Sequence, residues 1–166
     1  MNKNRTSKKF SGTKIIFFAV FIFCFPYYAC SFEIATSYTT IIYKDKDILK
    51  KFNKRIYTGR LRHYMPDNID TEEDEARAKT DMIIHRVQSV LEMFPDSLKF
   101  NIFILNSRDE VRQKHIDIYN KPKDFIAFYS QKMNTIYLSP EKLNINVLAH
   151  ETGHAVVENY FEVSPP

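Results

Sequence analysis

Apolar residues recur along the chain with two different periods, and each period predicts a type of element. Alternating, β-branched or aromatic residues predict two strands and a β-hairpin, at 37–43, 98–105 and 125–139. Apolar residues three and four positions apart predict helices at 45–57, 71–94 and 107–119. Between the first two helices, Gly59, Pro66 and Asn68 predict a loop.

The helix predicted at 71–94 begins with an acidic run, as expected for a helix N-terminus. Its predicted buried stripe consists of Met82, Ile83, Val87, Val90, Leu91 and Phe94. His63, His85 and His115 lie among polar neighbours, so we expect these three imidazoles to be solvated.

A fourth helix is predicted after the hairpin, with Ser139 as its N-cap and Pro140 at its first position. Its apolar face is predicted to comprise Ile145, Leu148, Ala149, Thr152 and Val156. Gly153 costs about 1 kcal/mol relative to alanine inside a helix, so it favours the close approach of another backbone segment, with an ordinary glycine as the alternative.

The predicted order is strand, helix, helix, strand, helix, hairpin and final helix. This order indicates an α+β fold in which a mixed sheet with a hairpin packs on helices. No internal repeat or low-complexity linker interrupts it, and about 135 residues suffice for one domain with its own core.

The N-terminus has the features of an export signal. Five Lys and Arg residues with no acidic residue precede an apolar run of eleven residues, 15–25, which Pro26 ends. A membrane span needs about 20 apolar residues, and Ala29-Cys30-Ser31 offers a cleavage site with small residues. We therefore predict that residues 1–31 are a signal peptide and that the protein is secreted or periplasmic. It would be membrane-anchored if the peptide were uncleaved or if Cys30 were lipidated.

Removal of residues 1–31 changes what the charge implies. The full chain carries a net charge of +4, but residues 32–166 hold 19 Lys and Arg against 20 Asp and Glu. No basic stripe remains, so nucleic acid is not expected as a partner. No stable membrane span is expected after cleavage, because the apolar run 15–25 leaves with the peptide. Both cysteines leave with the peptide, so we expect no disulfide. The sequence does not determine the oligomeric state.

The residues with clear chemical meaning are His150, Glu151 and His154, in a His-Glu-x-x-His arrangement. Residues four apart lie one above the other on a helix, so both imidazoles can reach one Zn²⁺ ion about 2.0–2.1 Å away. Glu151 lies at the edge of the same face, where it could accept a proton from a zinc-bound water. Zinc lowers the pKa of that water from 15.7 to about 7.

The stretch 148–154 resembles the active-site helix of the zincin metallopeptidases. Together with 125–129, 135–139 and 159–161, it is similar to small secreted bacterial gluzincins, sometimes called minigluzincins. The resemblance implies a zincin-like N-terminal subdomain within residues 32–166, with His150 and His154 as zinc ligands and Glu151 as the general base. In that family a glutamate on a later helix is the third ligand. The chain ends before such a helix, so truncation at the C-terminus is one interpretation.

Other ligand patterns fit the sequence less well. The metzincin motif requires glycine and histidine where Val157 and Tyr160 stand. The deformylases use an upstream cysteine as the third ligand, but both cysteines of this chain, Cys24 and Cys30, lie in the predicted signal peptide. Glu158 is the nearest carboxylate after the motif, but at that depth along the helix it is expected to fall short, and Glu162 lies further away.

Two functions follow from the sequence. The first is an exported zinc-dependent peptidase that acts on a peptide or protein substrate, which pairs with an edge strand at 125–129 or 135–138. The alternative is a non-catalytic exported domain, a degenerate or truncated zincin that lacks a complete metal site. A purely structural hairpin is the alternative to the substrate-binding strand.

Overall fold

The computed structural model describes residues 31–161, which form an α+β fold built on a mixed five-stranded sheet. The strands are β1 Phe32–Ala35, β2 Thr39–Tyr43, β3 Phe100–Ile104, β4 Ala127–Ser130 and β5 Thr135–Leu138. The α-helices are α1 Lys46–Arg55, α2 Glu72–Leu91, α3 Arg108–Tyr119 and α4 Ile145–Tyr160. Short 3-10 helices occupy Gly59–Tyr64 and Gln131–Met133. The predicted signal peptide, except Ser31, and Glu162 lie outside the described residues.

The strand order across the sheet is β1-β2-β3-β5-β4. The central pairs β2–β3 and β3–β5 are parallel, and the outer pairs β1–β2 and β4–β5 are antiparallel. The predicted α+β class, mixed sheet and hairpin are therefore confirmed. Strand β1 was not predicted, because its four residues directly follow the proposed cleavage site and only one of them, Ile34, is buried.

Helices cover both faces of the sheet. On one face, α1, α2 and α4 pack over a core that includes Ile41, Ile102, Ile136 and Leu148, all fully buried. On the other face, α3 contributes Val111 to a smaller cluster that also contains three side chains from the strands and the loop after β3: Leu105, Phe128 and Tyr137. Alternate residues of β5 point to opposite faces, so this single strand supplies both cores.

The helix starts follow capping chemistry. Thr71, at the predicted start of α2, accepts a hydrogen bond from Asp74 N. Ser107, the predicted cap of α3, accepts a hydrogen bond from Glu110 N. The predicted start of α4 at Ser139 is wrong. Asn144 is its N-cap and accepts from Asn146 N at 2.9 Å and from Val147 N at 3.2 Å, since residues 140–143 form a turn before the helix.

The buried face of α4 agrees with its predicted apolar stripe. Leu148, Thr152 and Val156 are fully buried, and Ile145 and Ala149 are partly buried against the same core. The opposite face, which carries His150 and His154, is exposed.

Candidate functional site

The two histidines of the motif converge on one point above the exposed face of α4. The Nε2 atoms of His150 and His154 lie 3.2 Å apart, and the two rings are nearly perpendicular, at 86°. The helix sets this arrangement, because positions four apart are separated by little more than one turn. Both imidazole side chains are exposed on the same side of the helix.

The separation of the Nε2 atoms is close to what one zinc ion requires. Two nitrogen ligands at about 2.0–2.1 Å from zinc, at a tetrahedral angle, lie about 3.3–3.4 Å apart. The observed 3.2 Å corresponds to a nitrogen–zinc–nitrogen angle slightly below tetrahedral. His150 and His154 therefore fit two corners of a zinc coordination sphere.

A third protein ligand is absent from this part of the chain. Within residues 31–161, no group of three or more His, Cys, Asp or Glu side chains could hold one metal ion. Glu158, one turn beyond His154, instead accepts a hydrogen bond from Gln131 Nε2 at 2.5 Å. Its carboxylate is thus turned toward the end of β4.

Glu151 lies on the flank of the histidine pair that faces β4. Its half-buried carboxylate accepts a hydrogen bond from the backbone N–H of Tyr129, at 2.7 Å from Oε2. Burial raises the pKa of the Glu151 carboxyl above its usual value, while the Tyr129 N–H, His150 and His154 act in the opposite direction and offset only part of the effect. The motif carboxylate is therefore held between the edge strand and the imidazoles.

Strand β4 forms an edge of the sheet, with β5 as its only neighbour in the described residues. Ser139 N donates to Ile126 O, and the antiparallel alternation then turns the backbone groups of Ala127 and Tyr129 outward. The N–H of Tyr129 is taken by Glu151, so the carbonyl of Tyr129 and both polar groups of Ala127 remain on the outer side. Strand β5 lies inside the sheet, so 135–138 is wrong as a candidate edge strand.

Further hydrogen bonds fasten the hairpin to α4. The Tyr129 hydroxyl donates to Asn134 Oδ1 at 2.9 Å, and Asn159 Nδ2 donates to the same oxygen at 3.3 Å. Burial, with smaller contributions from the charges of Glu158 and Tyr119, raises the pKa of Tyr129 to about 12, so this phenol stays a donor at neutral pH. These contacts fix the distance between the edge strand and the helix that carries the motif.

The other flank of the histidine pair is an apolar groove between α2 and α4. The groove encloses about 570 Å³, and its lining includes Val87, Val90, Leu91, Gly153 and Val157. The predicted buried stripe of α2 is therefore wrong at its C-terminal end. Val90 is 64% exposed, and Phe94, beyond the last helical residue, is 57% exposed, because no described element covers them. The sequence period identified which face of α2 is apolar, but it did not show how much of that face other elements bury.

Two expectations about single residues are also overturned. A Cβ atom added at Gly153 would meet nothing within 4 Å, so no neighbouring backbone requires glycine there. His115 is buried rather than solvated, because its Nδ1 donates to the carbonyl of Lys121 at 2.7 Å and its ring packs against Phe125 and Phe128. His63 and His85 are exposed, as predicted.

Comparison of the chain with protein-family models, with curated proteins and with solved structures returned no match. Among residues 31–161, no helix has the length and apolar character that crossing a membrane requires. Assignment of a function therefore depends on the chemistry of the motif and its surroundings.

Proposed function

We propose that this protein is an exported zinc-dependent peptidase of the zincin type. The observation that carries the proposal is the convergence of His150 Nε2 and His154 Nε2 to 3.2 Å on an exposed helix face. Glu151, next to the first of these ligands, accepts a hydrogen bond from an edge strand that also turns the backbone groups of Ala127 and the carbonyl of Tyr129 away from the sheet. Metal-assisted peptide hydrolysis needs metal ligands, a carboxylate that accepts a proton, and a surface that binds an extended substrate.

Each residue has a distinct role in the proposed reaction. His150 and His154 would hold the metal through Nε2, and Glu151 would accept the proton of the attacking water and pass it to the departing amine. Zinc, when bound, supplies Lewis acidity, which makes water a nucleophile at neutral pH and polarises a carbonyl. The hydrogen bond from Tyr129 N to Oε2 supports this role for Glu151, because it orients the carboxylate and leaves Oε1 to accept the proton.

The edge strand defines the proposed substrate class. An extended peptide or protein segment that adds to β4 would hydrogen-bond the outward groups of Ala127 and the carbonyl of Tyr129. Such pairing uses main-chain groups alone, so it supplies affinity with little side-chain selectivity.

A specific observation favours a second candidate, a non-catalytic domain that keeps the helix but not a complete metal site. No third ligand is present among residues 31–161. Two imidazoles alone hold zinc weakly and leave its geometry unfixed. The peptidase therefore needs a third ligand from elsewhere, whereas the non-catalytic domain needs none.

Zinc content separates these candidates. For the peptidase, with a third ligand from outside residues 31–161, we expect one zinc ion per molecule of purified protein after dialysis, as measured by mass spectrometry of the metal, and clear loss in His150→Ala and His154→Ala. For the non-catalytic domain we expect no stoichiometric zinc. His85→Ala, an exposed histidine outside the motif, is the matched control. A generic fluorogenic peptide library then tests hydrolysis by the zinc-loaded parent. Absence of stoichiometric zinc from the parent would reject the peptidase.

A further inference from the structure

A second concave surface lies beside α2, against the margin of the main core, and the motif histidines do not line it. It is bounded by the β1–β2 turn, the segment 59–69 and α2, and it encloses about 540 Å³. We call this surface the α2 pocket. Neither His150 nor His154 lines it. Its volume is within the range of about 300–1,000 Å³ that is typical of small-molecule sites.

The wall and floor of the α2 pocket are largely apolar. Met82 is buried at its base, and Tyr38, Leu61, Ile69 and Ala78 are partly buried against the main core. These side chains come from three separate segments, so the pocket is a product of the tertiary fold. Tyr64, 67% exposed, adds an aromatic ring at the rim.

Most charged groups around the α2 pocket are already used within the protein. Asp81 accepts from Ser37 N at 3.1 Å and from Ser37 Oγ at 2.9 Å. Arg77 donates to the carbonyl of Ala35 at 3.0 Å and forms an ion pair with Asp74 at 2.8 Å. Asp74 and Arg77 therefore compensate one another, whereas Asp81 is hydrogen-bonded to Ser37 but keeps its negative charge.

Arg86 is different. It is exposed, lines both the α2 pocket and the groove beside the motif histidines, and makes no hydrogen bond or ion pair with any of residues 31–161. The imidazole of His85, next to it on α2, likewise has no side-chain partner within this range. The four charged side chains of the lining, Asp74, Arg77, Asp81 and Arg86, sum to zero, and Arg86 is the cation among them whose donors have no partner within residues 31–161.

We propose that the α2 pocket binds a small organic carboxylate, with the apolar body on Met82 and Ala78 and the carboxylate on Arg86. A guanidinium presents two parallel N–H donors that match the two oxygens of a carboxylate. His85 offers a further donor at the same rim. This site does not depend on the proposed peptidase function, because it shares no motif residue with it.

The experiment is a titration of the purified protein with 3-phenylpropionate, followed by amide chemical shifts in two-dimensional NMR. We expect shifts to concentrate at Leu61, Ile69, Ala78 and Met82. The uncharged analogue 3-phenylpropan-1-ol has the same apolar body, so the carboxylate should bind about tenfold more tightly, as expected for a charge-assisted hydrogen bond. The cationic analogue 3-phenylpropylamine should bind more weakly than either.

Two variants and a control complete the test. Arg86→Gln should remove the preference for the carboxylate over the alcohol, while Arg112→Gln, an exposed arginine on α3, should retain it. Ala78→Leu should reduce binding of both compounds by filling the pocket, with the remaining spectrum reporting an intact fold. Equal affinity for carboxylate and alcohol, or shifts centred on His150 instead of the α2 pocket, would overturn the proposal.

Discussion

The backbone N–H of Tyr129 on the edge strand donates to Oε2 of Glu151 on α4 across 2.7 Å. This hydrogen bond connects the strand proposed to bind substrate with the carboxylate proposed to accept a proton. It gives Glu151 two separable roles, one structural and one chemical. The first two predictions distinguish them.

Glu151→Gln should abolish peptide hydrolysis while leaving the zinc content unchanged. Glutamine retains an oxygen that can accept from Tyr129 N, but it cannot take a proton from water. Loss of a general base typically lowers kcat by about 10²–10⁴-fold. The measurement is kcat on a fluorogenic peptide. Glu158→Gln, a carboxylate on the same helix that is hydrogen-bonded to Gln131, is the control and should retain activity.

Glu151→Ala should destabilise the protein relative to Glu151→Gln. Alanine leaves the Tyr129 N–H without its partner, and loss of such a hydrogen bond costs about 1–2 kcal/mol. The free energy of unfolding from urea denaturation provides the comparison. If the two variants were equally stable, Glu151 would have no structural role in holding β4.

Thr152→Val should leave the protein as stable as the parent or stabilise it by up to about 1 kcal/mol. Thr152 is fully buried, and its hydroxyl has no hydrogen-bond partner among residues 31–161. Valine has nearly the same shape and removes that buried polar group. Thr135→Val is the matched control. The Thr135 hydroxyl donates to Met133 O at 2.8 Å, so this variant should lose about 1 kcal/mol in the same urea experiment.

Asn144→Ala should lower the free energy of unfolding by about 1 kcal/mol, as expected for loss of an N-cap side chain. Asn144 Oδ1 accepts from two backbone N–H groups in the first turn of α4. Asn146→Ala, at an exposed position in that turn, is the control and should have a smaller effect. A larger loss in Asn146→Ala would contradict the assigned helix start.

Glu110 should make stability depend on pH under acidic conditions. Burial raises the pKa of its carboxyl, but hydrogen bonds from Asn106 and the nearby Lys44 ammonium outweigh burial, so the pKa lies below its ordinary value of 4.5. A lowered folded-state pKa stabilises the protein above the unfolded-state pKa, and this contribution disappears as the pH falls through the folded value.

The measurement for Glu110 is the difference in unfolding free energy between the parent and Glu110→Gln, followed from pH 7 downward. The difference should be constant at neutral pH and should shrink below about pH 4.5. It should remain modest, because the Lys44–Glu110 ion pair is 36% exposed on both sides. A difference that grew on acidification would contradict the expected sign.

Much of the fold could be predicted because its elements have strong local patterns. The helix α2 has a threonine cap, an acidic first turn and an apolar stripe, and it begins where those features place it. By contrast, β1 has one buried residue and depends on pairing with β2, so local alternation gives little sign of it. The start of α4 was wrong because Ser139-Pro140 and Asn144 both have capping chemistry, and tertiary packing selects the second.

The candidate site likewise has one part that the sequence predicted and another that it could not predict. The motif alone predicted that His150 and His154 share one helix face, because helical spacing decides their relation. The sequence could not place Tyr129 N against Glu151, since these residues are 22 positions apart and meet only when the hairpin docks on α4. Arg86 also gave no signal, because an isolated arginine on a polar helix face is ordinary until the fold forms a pocket around it.

The sequence by itself therefore determined the α+β class, most of the elements and the convergence of two imidazole nitrogens on one helix face. These features depend on contacts within a few residues, or on the burial of regular apolar stripes. Only the tertiary structure decided that β4 and not β5 lies at an edge of the sheet, which carboxylate this edge strand holds, and which part of the α2 stripe is uncovered. Those relations depend on distant segments packing together, and hydrophobic periodicity specifies that a face is apolar without specifying what lies against it.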